Sequence, residues 1–115
     1  MKVVTWIVRI LLAAAFVMAG GSKLAGAPAM VATFDKIGLG QWFRYFTGLT
    51  EIFGALLLVI PVTGLWGALI LLATMCCAVA THLLRIGGSP LAAIVLGALA
   101  AFLAYRLRPA ATPTA

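Results

Sequence analysis

Residues 52–81 read IFGALLLVIPVTGLWGALILLATMCCAVAT, thirty positions without an Asp, Glu, Lys, Arg or His. A helix that crosses a bilayer needs about 20 predominantly apolar residues. The quoted stretch holds the second half of one such run and most of a second, separated only by Pro61-Val62-Thr63-Gly64. That separation is too short for more than a tight turn. The sequence therefore predicts an antiparallel hairpin of two membrane spans, residues 42–60 and 65–84.

An earlier apolar run predicts a further span at residues 3–20. It is broken only by Arg9 and is followed by Gly21, Ser22 and Lys23, a pattern typical of a helix end at a membrane interface. The alternative interpretation is a secretory signal peptide, because Lys2 precedes the run. Arg9 and the lack of an Ala-x-Ala cleavage site argue against it.

A fourth span is predicted at residues 90–107. The preceding Gly87-Gly88-Ser89-Pro90 breaks the chain, with Ser89 expected as N-cap and Pro90 at the first helical position. Residues 28–37 between the first two spans show a one-sided apolar pattern and predict a short interfacial helix. After it, the aromatic and basic residues 42–46 are expected at headgroup depth.

Together these elements predict an all-α, four-transmembrane-helix antiparallel bundle with a short interfacial helix between helices 1 and 2. It forms a single domain over residues 1–108, and residues 109–115 are predicted to be a disordered tail.

The composition excludes several other classes of protein. Of 115 residues, 65% are hydrophobic and 9% charged, against roughly a quarter charged in soluble domains. Two adjacent cysteines and one histidine provide neither a disulfide scaffold nor a zinc site. The net charge of +6 comes from basic residues placed singly at the ends of apolar runs. A nucleic-acid-binding protein would cluster them, so no nucleic-acid partner is expected.

Three ionisable residues, Arg9, Glu51 and His82, fall within or at the end of apolar runs. A charge at membrane depth costs at least about 2.5–3.5 kcal/mol unless it finds a partner or water. At a rise of about 1.5 Å per residue, the depths of Arg9 and Glu51 differ by about 5 Å, within reach of an arginine side chain. The sequence therefore predicts an Arg9–Glu51 ion pair inside the bundle. The alternatives are snorkelling of Arg9 to the headgroups and a purely structural Glu51 held by Arg9, Thr47 or Thr50.

His82 ends the third run, on the same membrane side as Lys23 and beside Arg85. An imidazole suits proton exchange, although a lone histidine at a helix end is more often an interface residue. Cys76 and Cys77 are expected to act as small hydrophobic residues. We expect no catalytic group and no metal ligand.

Lys and Arg residues divide equally between the two membrane sides, so the positive-inside comparison is a tie. Cytoplasmic termini are favoured because Arg106 and Arg108 closely flank the last span. Within that span Ala93, Gly97 and Ala101 recur every four residues. Such a stripe favours either closure of the bundle or a homodimer.

Several short segments, taken in order, form a recognisable combination. They are RILL at 9–12 with Phe16, AGGSKL at 19–24, GL at 38–39, YFTGLTEIFG at 45–54 and AVATH at 78–82. This combination resembles the DoxX-like family of small bacterial four-span membrane proteins, and it covers about residues 5–107.

The resemblance implies a location in the bacterial inner (plasma) membrane and a ligand-binding or intramembrane polar set of Arg9, Lys23, Glu51 and His82. The family's name comes from a membrane subunit associated with thiosulfate:quinone oxidoreduction, and related proteins are tied to redox stress. The resemblance therefore makes a quinone the candidate cofactor, with none assigned for certain, and a redox enzyme a candidate partner. The chain has no haem-ligand pair, flavin motif or CxxC, so an autonomous enzyme is not expected.

The sequence thus predicts an accessory or small-lipophile-binding membrane subunit, with a quinone as the candidate ligand. One alternative is a proton-coupled small-molecule transporter, because small multidrug exporters also combine four spans with an intramembrane glutamate. Another is a membrane-protein assembly partner that docks through its small-residue stripe.

Overall fold

A computed structural model describes residues 2–109, and in that range the chain is helical with no strand. The helices are α1 (Lys2–Ala25), α2 (Pro28–Ile37), α3 (Trp42–Val59), α4 (Gly64–Thr81) and α5 (Leu91–Leu107), with a π-helical segment at His82–Ile86. The all-α prediction is confirmed for these residues. The tail predicted to be disordered lies, from residue 110 onwards, outside the described residues.

The boundary between α4 and α5 differs from the expected one. The α-helix ends at Thr81 and widens into the π-helical segment, whose end is closed by a hydrogen bond from Gly87 N to His82 O (2.9 Å). Gly87 then takes a φ of 69°, which favours glycine. Helix α5 begins at Leu91, one residue later than expected, and the Ser89 hydroxyl accepts a hydrogen bond from Leu91 N (3.2 Å).

Within residues 2–109, three helical stretches are long and apolar enough to cross a membrane: Lys2–Ala25, Trp42–Val59 and Pro61–Ile86, with mean hydropathies of 2.2, 1.2 and 2.1. Helix α5 is apolar but has only 17 residues, or about 26 Å at the usual helical rise. Many large apolar side chains remain exposed on the helices, including Met18 (75%) and Leu84 (81%). Such a surface suits lipid and not water.

The four longer helices share one apolar core. Helix α1 packs on α3, α3 on α4, and α4 on α5, while α5 makes a smaller contact with α1. Each of the four contributes one of the largest fully buried side chains: Phe16, Leu58, Leu71 and Leu103. The short helix α2 lies across one end, against α3 and the π-helical segment.

Glycines allow the helix backbones to approach closely. A Cβ atom on Gly20 would lie 2.7 Å from Gly48 O, and one on Gly67 would lie 2.6 Å from Gly54 O. These contacts bring α1 against α3 and α3 against α4. In α5, Ala93 and Gly97 of the small-residue stripe are buried within the chain itself, whereas Ala101 is exposed.

Arginines stabilise the carboxyl ends of four helices. Arg9 donates to Leu58 O (2.8 Å) and Ile60 O (3.1 Å) at the end of α3. Three further arginines donate in the same manner: Arg44 to Lys23 O near the end of α1, Arg85 to Ile37 O of α2 (3.2 Å), and Arg108 to Tyr105 O of α5 (3.0 Å). Helix ends leave carbonyl groups without intrahelical donors and carry a partial negative charge. A guanidinium therefore donates hydrogen bonds to these carbonyl groups and balances the partial negative charge, where lipid offers no water.

Candidate functional site

The buried acid of α3 is paired with a lysine of α1. Nζ of Lys23 lies 2.8 Å from Oε1 of Glu51, and the two side chains are 14% and 3% exposed. Despite this ionic contact, Oε1 is buried without a hydrogen-bond donor of suitable geometry among the described residues. The carboxylate is therefore neutralised in charge but retains capacity to accept hydrogen bonds.

The predicted Arg9–Glu51 ion pair is wrong. The guanidinium of Arg9 is occupied by Leu58 O and Ile60 O and lies over the Trp6 ring, 3.8 Å from its centroid. Arg9 is also buried rather than snorkelling, at 4% exposure. It therefore belongs to the end of α3 and not to the Glu51 site.

Helix direction explains why lysine replaces arginine as the partner. The contacts of Arg9 with Leu58, and of Arg44 with Lys23, show that α1 and α3 run in opposite directions. Side chains lean towards the amino end of their own helix. Glu51 therefore leans towards the carboxyl end of α1, and Lys23 leans back towards it. Arg9 leans in the same direction as Lys23 but starts on the amino-terminal side of Glu51, so its side chain leads away from the carboxylate. A comparison of Cα depths alone therefore selects the wrong cation.

The Lys23–Glu51 pair lies in the wall of a cavity of about 510 Å³, hereafter the central cavity. Helices α2, α3 and α4 form most of its lining, with smaller contributions from α1, the π-helical segment and α5. Its lining is largely apolar, with Phe34, Ile37 and Met75 among the buried residues. Its volume falls within the range of about 300–1,000 Å³ typical of small-molecule sites.

The central cavity is bordered by exposed residues of α3 and α4. Phe46, Ala73 and Cys77 all line it and are all exposed. Since these positions belong to two helices with lipid-compatible surfaces, the cavity adjoins the apolar outer face between them.

His82 also lines the central cavity, at the start of the π-helical segment. Its Nδ1 lies 3.0 Å from Gly87 O. The structure thus brings Lys23, Glu51 and His82 to one cavity and leaves Arg9 outside it. Within residues 2–109, no three His, Cys, Asp or Glu side chains are grouped so as to hold a metal ion.

A second polar group anchors α2 over the cavity and was missed from the sequence. Arg44, expected at headgroup depth, is buried (5% exposed) and donates to Gln41 Oε1 (2.7 Å) and to Lys23 O. Gln41 in turn donates to Val31 O of α2 (3.1 Å). Only the spacing of Gln41 and Arg44, three apart at a helix start, hinted at this link.

The fold and the site define a class: a helical membrane protein with an ion pair in the wall of an apolar cavity. Within that class the chain belongs to the DoxX-like family, whose family model matches residues 7–105. The resemblance inferred from the short motifs is thereby confirmed. Neither the curated proteins nor the solved structures contain a match to the chain.

Proposed function

We propose that this protein is a membrane subunit that binds a small lipophilic molecule in the central cavity, with the polar head of the ligand at Lys23 and Glu51. The observation that carries the proposal is the buried pair, 2.8 Å apart, in the wall of a largely apolar cavity. Ligand sites commonly combine apolar walls with a few placed polar groups. If the pair served only stability, two well-packed apolar side chains could take its place.

A quinone is the ligand class that the family resemblance suggests, and the residues present fit it. The Lys23 ammonium could donate to a ring oxygen, and Glu51 could accept from a ring hydroxyl. The exposed cavity residues Phe46 and Cys77 lie where an isoprenoid chain would pass between α3 and α4 into the bilayer. A quinone supplies reversible two-electron chemistry, and a redox-enzyme partner would then exchange electrons with it.

The membrane arrangement is part of the same proposal. We take α5 as the fourth span, because it contributes Leu103 to the shared core and lies alongside α4. Its 17 residues fall slightly short of the bilayer core, and arginines 106 and 108 would mark its interface. Termini in the cytoplasm of a bacterial inner membrane complete the proposed topology.

The two alternative functions have less support. For a proton-coupled transporter, Glu51 would need to exchange protons freely, but its charge is already balanced by Lys23. For a homodimer or an assembly partner docking through the α5 stripe, Ala93 and Gly97 would need to be available, but both are buried within the chain.

The test compares two alanines of α4 that are both exposed, of which only Ala73 lines the central cavity. Ala73→Phe should reduce the lipid that copurifies in mild detergent, because the added ring enters the cavity. Ala80→Phe is the matched control and should copurify the same lipid as the wild type. Mass spectrometry of the extracts measures both. An isoprenoid or other lipophile retained equally by the two variants, or absent from the wild type, would contradict the proposal.

A further inference from the structure

The neutral polar groups of the central cavity are hydrogen-bond acceptors. Five threonines line it, and each hydroxyl donates to the carbonyl oxygen four residues earlier in its own helix at 2.8 Å. They are Thr33, Thr47, Thr50, Thr74 and Thr81. A hydroxyl has one proton, so each threonine leaves only oxygen lone pairs for another molecule.

Glu51 and His82, which also line the cavity, extend this pattern. A carboxylate accepts only, and Oε1 of Glu51, although 2.8 Å from Nζ of Lys23, has no hydrogen-bond donor of suitable geometry among the described residues. Since Gly87 O can only accept, Nδ1 of His82 must carry the proton of their 3.0 Å contact. In the neutral imidazole, Nε2 is then an acceptor as well.

Donors are scarce by comparison. Among the described residues that line the cavity, the Lys23 ammonium is the one strong side-chain donor, and the Cys77 thiol is a weak one. A ligand head group whose oxygens only accept hydrogen bonds would compete with Glu51 for the Lys23 ammonium. Elsewhere in the cavity it would face the protein's acceptors without a donor for them. A head group with hydroxyls would donate to those acceptors.

We propose that the central cavity selects lipophiles whose head group carries hydroxyl donors, with Glu51 accepting from one hydroxyl. This inference rests on the proposed function and specifies its ligand class. Applied to a quinone couple, it means that the hydroquinone binds more tightly than the quinone. By linkage, each tenfold preference raises the two-electron midpoint potential of the bound couple by about 30 mV.

The test uses three ligands with the same ring and the same short isoprenoid chain: the hydroquinone, its dimethyl ether and the quinone. Binding is measured to the full chain in lipid nanodiscs, with the hydroquinone kept anaerobic. The hydroquinone should bind at least about tenfold more tightly than the other two, because only it donates. Equal or tighter binding of the ether or the quinone overturns the inference but leaves the proposed function standing. Binding of none of the three overturns both.

Variants separate hydrogen bonding from fit. Glu51→Gln keeps the side-chain shape but adds a donor, so the preference for hydroquinone over ether should shrink several-fold. Thr74→Val removes one acceptor without a charge change and should shrink it less. Thr5→Val changes a buried threonine outside the cavity and should leave the preference intact. An undiminished preference in both cavity variants would refute the assigned acceptors, and Thr74→Val keeps the test valid should Glu51→Gln fail to fold.

Discussion

Replacing Lys23 by methionine should destabilise the protein more than any removal of an exposed charge. Met keeps much of the apolar stem but leaves the Glu51 carboxylate, 3% exposed, without its 2.8 Å partner. Removing one partner of a buried pair costs about 3–5 kcal/mol. Glu51→Gln should cost less, about 1–3 kcal/mol, because the Lys23 side chain is 14% exposed and can move towards the interface.

The double variant tests whether the two residues act as a pair. Lys23→Met with Glu51→Gln buries no unpaired charge, so it should be less destabilised than the sum of the single variants by about 1–3 kcal/mol. Unfolding in mixed micelles titrated with SDS, followed by circular dichroism, gives the free energies. Lys36→Met, at an exposed lysine of α2, is the control and should change stability by less than about 0.5 kcal/mol. Additive single effects, or a Lys23→Met variant as stable as the control, would refute the pairing.

Two further predictions concern the fold. Arg9→Met removes both hydrogen bonds to the end of α3 and should lower the free energy of unfolding by about 2–4 kcal/mol in the same assay. The control Arg106→Met, at an exposed arginine, should leave that free energy almost unchanged. Equal effects of the two variants would show that burial of Arg9 is unimportant. Gly48→Ala places a Cβ atom 2.9 Å from Gly20 O and should separate α1 from α3 at a cost of about 1–3 kcal/mol. Gly21→Ala meets nothing within 4 Å and should be neutral or stabilising by up to about 1 kcal/mol; a reversed order of the two alanine variants would contradict the close helix packing.

The helices were predictable because their cause is local. Residues 52–81 are continuously apolar apart from a Pro-to-Gly turn, and both α3 and α4 follow from that pattern. Helix α2 follows in the same way from Pro28, the one-sided apolar pattern and the glycines after it. The π-helical segment could not be predicted, because no local sequence pattern marks it. The structure shows His82 in contact with Gly87 O and Arg85 in contact with Ile37 O of α2.

The candidate site was predictable in its membership but not in its pairing. Lys23, Glu51 and His82 stood out because polar groups in apolar runs need compensation. Arg9 stood out for the same reason, but it satisfies that need at the carbonyl groups ending α3. The burial of Arg44 was not predicted, because it depends on Gln41 Oε1 and on Lys23 O of another helix; its expected place at headgroup depth stays a prediction.

The amino-acid sequence alone determined that this chain is a set of apolar helices with a small number of polar residues at membrane depth, since both properties depend only on composition and short-range order. The tertiary structure decided which cation meets Glu51 and which guanidinium meets which helix end. Those choices depend on the relative direction and register of α1 and α3. Side chains lean towards the amino end of each helix, and glycine contacts such as Gly20 with Gly48 set how far one helix slides along the other.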